Sequence, residues 1–417
     1  MAKINVRDRN KNQPLKKPNY EYRFEAAQVA GKRKHITKSG FRTKKEAEIA
    51  GAKAYAEYSQ SGISFQPTEI SVSDYFDYWL KERVVVNLKY NTQRAYSEVI
   101  ERHIKPKLGF FKLKSLTPAT LQAFLNDLKL SGFAKSHIVN IKAIINSALD
   151  YAVEPLQFLS NNPMRLVKTP VVTKPKRERI ILDTSDWKSI ISRFPFGSRF
   201  YIPLMIGFYT GVRISECFGL SWDNINLDDS TISIEKQTIK REFGKVSVWC
   251  LESLKSISSK RVIKIGETLK NVLAAEKKRQ EENEKKYGDL YTVQYIKVCK
   301  DEKGEDLHQV ISLRKNIKNS LPRVNLVCVD ENGELTTSDS FKYASRVIRY
   351  ELKIAFNYHS FRHTHATLLI GNKAGLKDVQ YRLGHSNIQT TLQIYTQTTK
   401  ESEQRAVDIF ENIIKEQ

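Results

Sequence analysis

The chain has 417 residues, with 69 Lys and Arg against 46 Asp and Glu, a formal net charge of +23. That length predicts several domains rather than one core, and the positive surplus makes nucleic acid the expected partner ahead of an acidic membrane surface. No window approaches the roughly 18 consecutive apolar residues of a membrane span, the N-terminal MAKINVRDRNKN lacks the apolar core of a signal peptide, and Cys217, Cys250, Cys299 and Cys328 form no C-x-x-C pair; these features argue against membrane attachment, export, a disulfide framework and a zinc ribbon, and predict a soluble, cytoplasmic protein.

The first 60 residues hold 15 Lys and Arg against six Asp and Glu. They read as a strand from Tyr20 to Ala27, a turn at Gly31, a strand from Lys32 to Thr37 and a turn at Gly40. A helix then opens on the capping box Thr43-Lys-Lys-Glu46 and runs to about Tyr58, with Ala47, Ala50, Ala54 and Tyr58 on one face. A small, basic α+β module of this kind, a three-stranded sheet with one helix, suits strands laid in a DNA groove; a basic tail with little structure is the plainer alternative. The polar stretch from Ser59 to Thr68 reads as a linker, and a boundary is placed at 67.

Helical periodicity begins at Val72, with Tyr75, Phe76, Trp79 and Leu80 in one stripe and Ser71 as the cap. Further helices are expected from Asn91 to about His103, from Pro118 to Leu128 and from Ser136 to about Val153. These four make a compact all-α domain over 68–170. Its Lys89, Arg94, Arg102, Lys105, Lys107, Lys112, Lys114 and Lys135 suit phosphate contacts, although lysines scattered on helices are usually solvated surface. The basic connector Lys168 to Arg179 leads into a third region, 180–417, where helices and strands mix. A helix from Ser185, an apolar helix ending at Thr210, a helix near Val212 and strands around Thr231 to Ile234, Val246 to Trp249 and Arg261 to Ile265 are predicted. The charged residues 275–325 read as an inserted excursion with little chemistry.

Four segments of this last region carry chemistry. In Thr210-Gly-Val-Arg-Ile-Ser-Glu216, Arg213 stands among Met205, Ile206, Phe208, Val212 and Ile214, and a guanidinium in that company needs an anion, either Glu216 or a phosphate. In His359-Ser-Phe-Arg362, His359 and Arg362 share a helix face and suit one anion. A zinc site on His359 and His363 is disfavoured, because the Glu of H-E-x-x-H is absent and Arg362 would repel a cation. In Leu383-Gly-His385, Gly384 permits a turn that places His385 at a helix end. Tyr395 follows ten residues later, and taken singly it reads as a packing residue. The polar turn Leu254-Lys255-Ser-Ile-Ser-Ser-Lys260-Arg261, between two strand-like runs, means little by itself. Together, two Arg, two His, a Lys and a Tyr are the set that phosphoryl transfer at DNA requires: cationic groups on the non-bridging oxygens, an acid for the departing 5′-oxygen and an attacking hydroxyl.

At these residues the sequence resembles the tyrosine recombinases, or phage-type integrases. The family's T-G-x-R-x-S-E matches at Arg213, its H-x-x-R at His359 and Arg362, its L-G-H at His385, and its nucleophilic tyrosine at Tyr395. Its hairpin lysine resembles Lys255, with Ser259 four and Arg261 six residues on; the usual P-K-T appears here as Leu254-Lys255-Ser256, and Lys260 is the fallback. The run from His103-Ile-Lys-Pro-Lys-Leu-Gly109 through Leu113 to Thr117 resembles the family's SAM-like core-binding domain. The N-terminal module resembles the arm-type DNA-binding domain of integrases from conjugative transposons and Gram-positive prophages.

The resemblance implies a mixed, mainly α catalytic domain with a small antiparallel sheet, and a Tyr395 that forms a 3′-phosphotyrosine without metal, ATP or other cofactor. It also implies double-stranded DNA as partner at core and arm-type sites, a tetramer on DNA, and an excisionase or DNA-bending accessory protein. The apolar stripe Val407, Phe410, Ile413 and Ile414 fits docking on a neighbouring subunit or on its own domain. A resolvase or topoisomerase-like enzyme with the same site, and a non-catalytic DNA-binding protein, are the rival classes.

Overall fold

The computed structural model describes residues 4–11, 17–29, 32–61, 70–172, 179–244, 246–254, 259–301, 303–395 and 411, with side chains for all of these except 25–29, 32–34, 57–61 and 393–395. The chain forms two compact units, Met1–Lys174 and Pro175–Gln417. The expected turn at Gly31, the Tyr58 side chain, most of the Ser59 to Thr68 linker, residues 173–178 of the connector, Lys255 and the tail stripe lie outside the described residues.

In the first unit, β1 (Asn5–Asp8), β2 (Tyr20–Val29) and β3 (Lys32–Phe41) form an antiparallel sheet in that order. Helix α1 (Lys44–Ser61) covers it. The capping box closes with a shift of one residue: Thr43 Oγ1 accepts from the Glu46 amide at 3.2 Å, while the Glu46 carboxylate accepts from the Arg42 amide at 3.1 Å. Ala47 and Ala54 are buried, Ala54 with Tyr22 and Phe24. A Cβ on Gly51 would stand 3.0 Å from the side chains of both Ile4 and Tyr22, so a larger residue there would press on the sheet face that the helix covers.

The rest of this unit is helical: α2 (Val72–Trp79), α3 (Tyr90–Val99), α4 (Lys105–Leu108), α5 (Pro118–Leu130) and α6 (Lys135–Val153). Wider π turns at Leu80–Val85 and Ile100–Ile104 extend α2 and α3. Ser71 and Thr117 cap their helices at 3.0 and 3.1 Å, as their side chains predict. Tyr75, Phe76 and Trp79 are buried among Ile100, Ile104, Leu121, Leu125, Ile141, Ile145 and Leu149. Each such side chain contributes about 1.5–3 kcal/mol by leaving water.

The second unit begins with α7 (Thr184–Arg193), capped by Asp183 and Asp186, then the buried α8 (Tyr201–Thr210) and the short α9 (Ile214–Cys217). Next come β4 (Ile225–Asn226), β5 (Thr231–Ile234), β6 (Lys236–Phe243), β7 (Val246–Ser253) and β8 (Arg261–Lys264). Helix α10 (Glu267–Tyr287) is followed by β9 (Thr292–Lys300), β10 (Asp306–Arg314) and β11 (Arg323–Val324). The unit closes with α11 (Phe341–Tyr350), α12 (Tyr358–Gly371), α13 (Leu376–Leu383) and α14 (Ile388–Tyr395).

Two antiparallel sheets stand where one small one was expected. One has the order β11-β9-β10-β7-β6, the other β4-β5-β8. Strand β7 pairs with β6 and β10 while β8 pairs with β5, so β7 and β8, which end at Ser253 and begin at Arg261, belong to different sheets and do not pair as the two arms of a hairpin. The charged stretch 275–325 is likewise no excursion, since it supplies the end of α10 and three strands of the larger sheet. Its polarity has a structural reason: after Leu269 and Leu273 the inward face of α10 continues with Glu276, Gln280 and Asn283, all buried. Gln280 Nε2 donates to the Val327 carbonyl at 2.9 Å, and Gln280 Oε1 accepts from Trp222 Nε1 at 2.9 Å. Among the described residues no helix is long and apolar enough to cross a membrane.

Candidate active site

Helix α8 is apolar all round, with Ile202, Leu204, Met205 and Ile206 buried, so it runs through the core of its unit. Helix α12 lies directly on it: a Cβ on Gly207 would fall 2.7 Å from Phe361 and 2.8 Å from Tyr358. Gly211 ends α8 at a φ of 66°, in the left-handed region that glycine enters without steric cost. The turn places Arg213 at the N-cap of α9.

The anion that Arg213 was expected to need is Glu216. Arg213 Nη1 donates to Glu216 Oε1 at 2.6 Å and the Arg213 amide to Oε2 at 3.0 Å. Glu216 is shared, because Arg261 Nη2 donates to the same Oε2 at 2.9 Å. Burial pushes the Glu216 carboxyl's pKa up, but the Arg261 and Arg213 charges and hydrogen bonds outweigh it and leave the pKa below the ordinary value. Arg213 also donates to the Gly384 carbonyl at 3.3 Å, and its side chain stays 37% exposed. The pairing with Glu216 thus orients Arg213 without removing it from solvent, and a guanidinium has five N–H donors to share.

Arg362 is 1% exposed and has no carboxylate partner among the described residues. Its Nη1 donates to the Gly211 carbonyl at 3.0 Å, its Nη2 to the Leu383 carbonyl at 2.5 Å and its Nε to His385 Nε2 at 3.3 Å. Burial, then the nearby Arg213 charge, lowers its pKa to about 9, which still leaves it protonated at neutral pH. Gly384 ends α13 at a φ of 66° and turns His385 inward. The His385 Nδ1 lies 3.0 Å from Thr391 Oγ1. Burial and the Arg362 and Arg213 charges drop the His385 pKa to about 3, so the ring is neutral, accepting at Nε2 and donating from Nδ1.

His359 lies in the first turn of α12, and its pKa is lowered by partial desolvation and by the Arg362, Arg213 and Arg179 charges. His363, one turn on, packs edge-on to it with ring centroids 4.7 Å apart. His365 fastens α12 to α13 and α8, since its Nε2 accepts from Arg382 Nε at 2.9 Å and its Nδ1 lies 3.2 Å from the Phe208 carbonyl. Tyr395 is the last residue of α14, which packs on α12 and α13; its side chain is outside the described residues. Lys255 also lies outside them, and Lys260 is exposed just before β8.

Of the sequence-predicted set, Arg213, Arg362 and His385 meet around the Gly211 and Gly384 turns, with His359 within range of both arginine charges. The cluster carries one carboxylate, Glu216, against Arg213, Arg261 and Arg362 among the described residues, so it attracts an anion and repels a metal cation. Sequence reasoning missed the packing of Arg261 under Glu216 and the Thr391 partner of His385. A polar Thr on the apolar face of α14, four residues before Tyr395, was the available signal for the second.

The pattern of the phage integrase family matches residues 181–402. That of the phage integrase N-terminal SAM-like domain matches 71–129, and that of the arm DNA-binding domain matches 11–57. A tyrosine recombinase XerC-like protein of Caldanaerobacter subterraneus subsp. tengcongensis is 25% identical, over 89% of this chain and 90% of the relative. The ICEBs1 integrase of Bacillus subtilis is 23% identical, over 89% of this chain and 91% of its own length. Among solved structures, the Tn1549 transposon integrase in complex with a circular intermediate DNA shares the fold, with a TM-score of 0.61 and 20% identity, covering 82% of this chain and all of the other.

Proposed function

Since the chain belongs to the phage integrase family, we propose that it is a tyrosine-type site-specific DNA recombinase that integrates and excises a mobile element through a covalent 3′-phosphotyrosine. The observation that supports this reading most is the arginine-rich site, with Glu216 its one carboxylate among the described residues, in which Arg362 is buried and hydrogen-bonds two carbonyls and an imidazole rather than an acid.

The Tyr395 oxygen attacks the scissile phosphorus and the bond to the 5′-oxygen breaks. Arg213 and Arg362 neutralise the non-bridging oxygens, where charge builds in the transition state. His359 and His385 divide the two remaining roles, donating to a non-bridging oxygen and taking the phenolic proton. His385 is neutral at pH 7, with Nε2 turned to Arg362 and Nδ1 to Thr391. Lys255, or Lys260 in its place, protonates the departing 5′-oxygen. The phosphodiester energy is conserved in the tyrosyl ester, so a 5′-hydroxyl from the partner strand reverses the step with no cofactor.

In this reading residues 1–67 bind arm-type sites, 68–170 bind the core site and 180–417 perform catalysis. Four copies assemble on two double-stranded DNA sites, an excisionase or DNA-bending protein assists, and the enzyme works in the bacterial cytoplasm. The test is recombination by the purified protein between two plasmids that carry the joined ends of the host element and its empty target. Recombinant plasmids are the expected product. Relaxation of supercoils without recombinants would replace this reading with the topoisomerase-like one.

A further inference from the structure

We infer that Arg261 is a positioning residue that sets the Arg213 guanidinium for its contact with the scissile phosphate. The inference rests on the proposed role of Arg213. The Arg261 side chain is wholly buried, so it touches no DNA and acts only through its neighbours. Those neighbours come from three separate segments: Nη2 donates to Glu216 Oε2 at 2.9 Å, Nε to the Arg382 carbonyl at 2.8 Å and Nη1 to the Ser259 carbonyl at 3.0 Å.

The first two bonds both lead to Arg213. Glu216 fixes Arg213 through its backbone amide and Nη1. The segment that begins at Arg382 runs into Gly384, whose carbonyl accepts Arg213 Nη2. Space there is tight, since a Cβ on Gly384 would stand 2.9 Å from Arg261 Nη1. Arg213 is thus held at both ends of its guanidinium by groups that Arg261 holds in turn. A lysine lacks the planar fork that reaches Glu216 and the Arg382 carbonyl at once.

The experiment follows covalent adduct formation by the full chain on nicked suicide duplexes whose scissile group is either a phosphate or a neutral methylphosphonate. Wild-type adduct at Tyr395 on the phosphate substrate tests the underlying reading, and its absence would overturn that reading by itself. Given that adduct, Arg261→Met is expected to slow capture of the phosphate at least about tenfold more than capture of the methylphosphonate, which presents no negative charge for a displaced Arg213 to neutralise. Arg261→Lys, which keeps the buried charge, is expected to show the same bias to a smaller degree and keeps the test open if Arg261→Met does not fold. Equal slowing on both substrates by the variant that retains wild-type DNA binding would overturn the inference, because a general loss of structure has no reason to discriminate between them.

Discussion

Gly384→Ala separates a backbone cost from a packing cost at the turn that delivers His385. The φ of 66° at Gly384 penalises any Cβ by about 1–2 kcal/mol. The new methyl would also stand 2.9 Å from Arg261 Nη1 and 3.2 Å from its Cδ and Cζ. That guanidinium is pinned by three hydrogen bonds and does not swing away as an exposed side-chain tip would, so overpacking adds about 1–3 kcal/mol. Gly244, between β6 and β7, is the control: its φ is 59°, but a Cβ there meets nothing within 4 Å. Urea unfolding of the full chain, followed by tryptophan fluorescence, to which Trp187, Trp222 and Trp249 contribute alongside Trp79 of the first unit, is expected to place Gly384→Ala below Gly244→Ala in stability by the packing difference. Adduct formation should fall only in Gly384→Ala, since its carbonyl holds Arg213. Equal losses of stability in the two variants would refute the packing argument.

The histidines make stability depend on pH in a defined direction. The folded pKa of His385 is about 3 and those of His363 and His365 about 4, all below the 6.5 of an unperturbed ring. The unfolded chain therefore binds more protons between these values, and stability is full above about pH 6.5 and lost as pH falls towards 4, at up to about 1.4 kcal/mol per pH unit for each ring. Urea midpoints taken at pH 7, 6 and 5 check this; His385→Asn should flatten the decline, and a pH-independent midpoint would contradict the burial argument. Glu216→Gln leaves Arg213 and Arg261 sharing a neutral amide in a buried setting and should cost about 3 kcal/mol of stability, with an unchanged urea midpoint counting against the shared pair. Deleting residues 1–60 should spare cleavage at an isolated core site and abolish gel-shift binding to distal arm sites; lost core cleavage would count against the modular reading.

The apolar stripes of α2 and α8, the caps Ser71 and Thr117 and the glycine turns at Gly211 and Gly384 were legible in the sequence because each follows from local rules of periodicity and backbone freedom. Arg213, Arg362 and His385 were legible as a set through the spacing of their motifs. The larger sheet was hidden for physical reasons. Helix α10 turns Glu276, Gln280 and Asn283 inward, so a stretch that looks fully solvated is half buried, with Glu276 and Gln280 answered by Arg279, Trp222 and the Val327 carbonyl. Strand β6, KQTIKREF, alternates weakly and carries charge at both ends. The transfer of the chain from β7 to β8 between sheets is a long-range pairing choice with no local signature. The same holds for Arg261, whose importance lies in three partners 2, 45 and 121 residues away.

The central claim is that Tyr395 becomes joined to DNA. Incubating the wild-type chain and Tyr395→Phe with a nicked suicide substrate and resolving covalent adducts on a denaturing gel tests it most directly. The account predicts an adduct with the wild-type chain, and DNA binding without any adduct from Tyr395→Phe. A covalent adduct formed by Tyr395→Phe would contradict it.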